Sequence, residues 1–137
     1  MVNYLRWGLL GGAVGIVIEL LTSIPQLSII GFSGVPVTMI GLIIAFIAMG
    51  LSAIVGRFIY GLIPLGKGLY SKLFVIFLYA ALASLLIINL LLRNLGIDIQ
   101  MINILTSVGI ISSIIGAAAE AGIAYGLDKY NIIKVPD

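Results

Sequence analysis

Glu19, Arg57 and Glu120 lie well inside otherwise apolar stretches. Glu120 is the most isolated: in the run AAAEAGIAYGLDKY its nearest charged neighbour is Asp128. A carboxylate in that setting carries a proton, neutralises a cation, or sits at a wet edge and does little. Enzyme chemistry is poorly provided for. The chain has no His and no Cys, so the neutral-pH acid–base residue, a thiolate nucleophile and the usual zinc and haem ligands are missing. There is no Ser/His/Asp set, no metal-ligand spacing and no convergent pair of carboxylates. The glycine runs fall inside apolar segments, not between a strand and a helix where a phosphate loop would lie. The expectation is a protein without catalysis, metal or cofactor. The lack of thiols leaves the redox compartment open.

The elements that hold these residues follow from composition. Of 137 residues, 62% are hydrophobic and only 9% charged, and the mean hydropathy is +1.31. A soluble domain carries about 25% charged residues, so the helices of this chain must face lipid or other equally apolar surfaces. Four apolar segments run from about Tyr4 to Thr22, Val37 to Ile63, Tyr70 to Leu92 and Met101 to Leu127. Each is near the roughly 20 residues that cross about 30 Å of hydrocarbon. Turn chemistry separates them in SIPQLSIIGFSGVP, IPLGKGLY and RNLGID, placing turns near residues 24–36, 63–69 and 93–100. Glu19 and the lack of a clear small-residue cleavage site make the first segment a retained span rather than a cleaved signal. The expected fold is all-α: four hydrophobic helices arranged as two antiparallel hairpins in a single domain over 1–137. Tyr-Gly-Leu occurs at 60–62 and again at 125–127, which raises a duplicated hairpin, 1–65 and 66–137.

Small residues recur at helical spacing. Gly8 with Gly12 and Gly11 with Gly15 mark the first helix; Gly41, Ala45, Ala48, Ser52 and Gly56 the second; Gly109, Ser113, Gly116 and Ala124 the fourth, with Glu120 in the same row. Such faces let backbones approach closely, within or between subunits.

With alternating segments, Arg6, Arg57, Lys67, Lys72, Lys129 and Lys134 share one side and only Arg93 lies on the other. The positive-inside rule makes the cation-rich side cytoplasmic, with both termini there. Arg57 and Glu120 both lie roughly 10 Å inside that side, by 1.5 Å per residue. An ion pair between them would relieve the cost of burying either; proton carriage and a wet Glu120 are the alternatives. Glu19 lies near the opposite end, with Ser23 one turn away as a hydroxyl partner.

Two resemblances bear on function. EAGIAYGL resembles the carboxylate helix of rotary ATP synthase proteolipids, in which a proton-binding Glu is followed five residues later by Tyr-Gly-Leu; Glu120, Tyr125, Gly126 and Leu127 match, and Val55 stands where a second carboxylate would be. Here DKYN follows at once, and the charge bias gives the opposite orientation. As a whole, with its four apolar segments, the turns IPLGKG and RNLGID and its small-residue faces, the chain resembles the major capsid proteins of spindle-shaped archaeal viruses. That resemblance implies a self-assembling shell protein, inserted in the host membrane before it forms a large homo-oligomer around double-stranded DNA in the virion. Arg6, Lys67, Lys72, Lys129 and Lys134 would then face DNA phosphates without reading sequence. The alternative is a small integral membrane subunit, either a proton-carrying rotor proteolipid using Glu120 or an accessory subunit of a membrane complex.

Overall fold

The computed structural model describes residues 1–30 and 35–137 and is all-helical over them, with α1 Tyr4–Ile30, α2 Val35–Leu62, α3 Leu69–Asn94 and α4 Ile99–Lys129. Lacking water, an apolar medium obliges each backbone to bond within its own segment, and helices do that. All four are long and apolar enough to cross a membrane.

The second and third turns fall where turn chemistry places them; of the first, expected over 24–36, the flanks 24–30 and 35–36 are helical. Residues 24–30 are helical, so α1 runs eight residues beyond Thr22, through Pro25. Proline removes the N–H that the Leu21 carbonyl would accept. Hydroxyls nearby make their own backbone bonds: Thr22 Oγ donates to the Ile18 and Glu19 carbonyls, both at 3.1 Å, and Ser28 Oγ to the Pro25 carbonyl at 2.6 Å. Residues 31–34 of the expected turn lie outside the described residues. The longer α1 also places Glu19 farther from its end than the sequence reading did.

The later turns close by backbone geometry. After α3, Gly96 takes φ 76°; its N–H bonds the Arg93 carbonyl and the Ile97 N–H bonds the Leu92 carbonyl. After α4, Asn131 takes φ 57°, with its N–H on the Asp128 carbonyl and the Ile132 N–H on the Leu127 carbonyl. Both are Schellman closures, which need a left-handed residue and satisfy carbonyls the helix leaves open.

The chain divides into two compact units, Met1–Ile54 with Ile123–Asp137, and Val55–Gly122. In the first, α1 and α2 form an antiparallel hairpin. A Cβ on Gly8 would meet Ile54, one on Gly12 Phe46, one on Gly15 the Ala45 carbonyl, and one on Gly41 the Glu19 carboxylate. Rising numbers on α1 meet falling numbers on α2. In the second, α3 and α4 form the other hairpin: Tyr70 Oη donates to the Ala118 carbonyl at 3.0 Å, Leu85 packs on Gly109, and Asn89 Nδ2 donates to Thr106 Oγ at 2.7 Å. The C-terminal half of α2 also joins α3, through Gly56 against Ile76 and Ala80, and through the bond from Tyr79 Oη to the Ile63 carbonyl.

Candidate functional site

The close-packing glycines come first, because they position the rest. Gly8, Gly11, Gly12 and Gly15 all face α2, and a methyl at Gly15 would stand 2.6 Å from the Ala45 carbonyl oxygen. On α2 the matching residues are Ala45, Met49, Gly50 and Ala53; the Gly50 Cα side lies against the Gly8 carbonyl. The sequence row of Gly41, Ala45, Ala48, Ser52 and Gly56 therefore splits. Ala45 meets α1, Ala48 is exposed, Ser52 is half-buried, and Gly56 meets α3. Gly50 and Ala53 were not singled out by spacing, because a helix this rich in small residues offers several such rows.

Gly41 receives a carboxylate rather than a backbone. Glu19 Oε1 lies against it and accepts a hydrogen bond from Ser23 Oγ at 3.1 Å. Ser23 is the buried polar residue of this region. The hydroxyl one turn away does serve Glu19, which offsets part of the cost of holding a carboxylate within a span.

Glu120 sits on α4 about 14 Å from the Lys129 end at 1.5 Å per residue. Its Oε1 turns back toward Gly116, as side chains on helices lean toward the N-terminus. It lines a groove of about 310 Å³ between α3 and α4. Ala81, Ser84, Leu85 and Ile88 form one wall; Gly109, Ser112, Ser113, Gly116 and Ala117 form the other. Ser84 Oγ donates to the Ala80 carbonyl at 3.0 Å and Ser113 Oγ to the Gly109 carbonyl at 2.7 Å. Those hydroxyls have spent their protons, so they offer the groove acceptors only. Ala124 is buried.

The Arg57 guanidinium lies over the Tyr60 ring, 5.5 Å from its centroid, with Nε buried. Stacking on an aromatic face lowers the cost of a cation in an apolar setting. Among the described residues, no group of three or more His, Cys, Asp or Glu could hold a metal ion.

The five cations assigned to phosphate divide between the units. Lys67 is exposed in the 63–68 turn and Lys72 is half-buried on the first turn of α3. Arg6, Lys129 and Lys134 belong to the first unit and are exposed. Arg6 and Lys134, 128 positions apart in sequence, line one cleft of about 230 Å³ with Leu9 and Ile133. The segment after α4 makes this possible. The Trp7 indole Nε1 donates to the Asp137 carbonyl at 3.1 Å, the Val135 N–H to Asp128 Oδ1 at 2.9 Å, and Pro136 is buried. Residues 130–137 thus return to the start of α1, an arrangement with little signal in YNIIKVPD beyond an asparagine suited to a left-handed turn.

No protein-family model, curated protein or solved structure matches this chain.

Proposed function

We propose that the protein is a small integral membrane subunit that works through helix contacts, as an accessory or scaffolding component, rather than through chemistry of its own. One observation carries this reading: large apolar side chains remain exposed along the helices. On α2 these include Ile43, Ile47, Leu51, Val55 and Phe58; on α3, Leu86, Leu90 and Leu91; on α4, Ile104, Leu105, Val108, Ile111 and Ile115. A surface of that kind needs a lipid or protein covering. The cation bias then orients both termini toward the cytoplasm.

A shell around double-stranded DNA is the second reading, and the exposed cations Arg6, Lys67, Lys129 and Lys134 would serve it. Copies of the chain would cover the apolar surface, and the cations would face phosphate. Expression followed by alkaline extraction and electron microscopy of the purified material separates the two. A membrane subunit stays in the alkali-resistant membrane fraction and leaves it only with detergent. Uniform particles enclosing nucleic acid would overturn the subunit reading in favour of the shell. Proton transport abolished by Glu120→Gln would instead support the rotor role.

A further inference from the structure

The cleft formed by Arg6, Leu9, Ile133 and Lys134 combines two cationic heads with two apolar side chains. We infer that it binds the phosphate headgroup of an anionic lipid, with Leu9 and Ile133 against the first carbons of the acyl chain. This inference rests on the membrane reading above.

Placement supports it. Arg6 lies on the first turn of α1, whose apolar span begins at Tyr4, and Lys134 lies five residues past the end of α4. Both are therefore at the ends of spans, the level at which lipid phosphates lie. Local bonds fix the backbone of Arg6 and the ammonium of Lys134 beside the cleft. Asn3 Oδ1 accepts the Arg6 N–H at 3.2 Å and so caps α1, fixing where the arginine leaves the helix. Lys134 Nζ reaches the Asp128 carbonyl at 3.3 Å, and the Val135 N–H bonds the Asp128 carboxylate. An ammonium has three donors and a guanidinium five, so donors remain for a phosphate. The apolar pair favours a lipid over nucleic acid: a DNA phosphate has no alkyl chain to set on Leu9 and Ile133, whereas a phospholipid presents phosphate and hydrocarbon together.

Trp7 is adjacent to Arg6 and is the sole tryptophan, so it reports on this end of the molecule without labelling. The full chain is reconstituted into phosphatidylcholine vesicles, and flotation establishes insertion. Trp7 quenching is then compared for acyl-brominated phosphatidylglycerol and acyl-brominated phosphatidylcholine at equal, minor mole fractions. Two cations near the surface favour the anionic lipid roughly thirtyfold, and each one removed weakens the preference about fivefold. Stronger quenching by the anionic lipid is expected, lost in Arg6→Gln/Lys134→Gln and retained in Arg6→Lys/Lys134→Arg. Equal quenching by the two lipids in vesicles that float with protein would overturn the inference and leave the membrane reading standing. Failure to insert would remove both. Duplex DNA binding at physiological salt that is lost in Arg6→Gln/Lys134→Gln, with no preference between the two lipids, would also overturn it and would assign the cleft to nucleic acid.

Discussion

Along α1 and α2, a methyl added at Gly15 would stand 2.6 Å from the Ala45 carbonyl oxygen, and Gly50 lies against the Gly8 carbonyl. Along α3 and α4, the contacts are a 2.7 Å hydrogen bond from Asn89 to Thr106 and a 3.0 Å bond from Tyr70 to the Ala118 carbonyl. The first hairpin brings backbones together, and the groove beside it, about 190 Å³ between Leu5, Leu9, Phe46 and Ile54, has no charged or hydroxyl-bearing side chain in its lining. The second is joined by side chains, and its groove of about 310 Å³ takes a carboxylate, Glu120. In lipid, apolar burial gives helices little reason to associate, so dispersion and hydrogen bonds decide where they meet. A backbone seam tolerates no added atoms; a side-chain seam tolerates shape changes but needs its polar partners.

The largest expected effect breaks the first seam. Gly11→Leu places a branched side chain against the Met49 carbonyl and Ala53, where backbone cannot yield. The expected loss is about 3 kcal/mol, at the upper end of overpacking costs, measured by unfolding in mixed detergent with sodium dodecyl sulfate. Gly126→Ala is the control: nothing lies within 4 Å of a Cβ there, so it should be neutral or slightly stabilising. Equal losses at the two positions would remove the distinction between interface and ordinary helical glycine.

The second seam is tested by a double-mutant cycle of Asn89→Ala and Thr106→Ala. Interhelical hydrogen bonds in membranes average about 0.6 kcal/mol and reach about 1.7 kcal/mol. A coupling energy within that range is expected, because Thr106 also donates to the Ile102 carbonyl and is thereby oriented. A coupling of zero would mean that the α3–α4 contact does not depend on this bond.

A similar effect is expected in the segment after α4. Trp7→Phe keeps one aromatic ring but loses the bond to the Asp137 carbonyl, worth about 1 kcal/mol, and part of a fully buried indole, which adds to the cost. Hydrogen exchange at residues 130–137 should rise in this variant while exchange in α3 does not. The smallest effect is at Asn131, where φ is 57°. Asn131→Gly should change stability by about 0.5 kcal/mol or less, since glycine takes the left-handed region freely, whereas Asn131→Val should loosen the same segment.

The four helices were legible because about 20 consecutive apolar residues have few other folds open to them. Their ends were less so. Pro25, Gln26 and Ser28 read as turn chemistry in water, yet α1 continues through them. Spacing alone does not give the α2 register within the chain: Ala45, Gly50 and Ala53 meet α1, while Ala48 of the spaced row is exposed. A helix with small residues on several faces does not announce which face is used. Glu120 was singled out by its isolation in sequence, but its groove depends on residues of α3 that carry no distinguishing pattern. The cleft of Arg6 and Lys134 was out of reach for another reason. It depends on a left-handed Asn131 and a short tail bonded to Asp128 and Trp7.

On the membrane reading, the helices cross a bilayer. The chain contains no cysteine, so single cysteines can be introduced for nitroxide labelling without a background. Ile43, Ile47, Leu51, Val55 and Phe58 are exposed on successive turns of α2 and sample its length. In lipid vesicles, accessibility to oxygen relative to a water-soluble nickel complex should be greatest near Ile47 and Leu51 and fall toward both ends. Equal depth at all five positions, or dominant accessibility to the nickel complex throughout, would contradict a membrane-spanning protein.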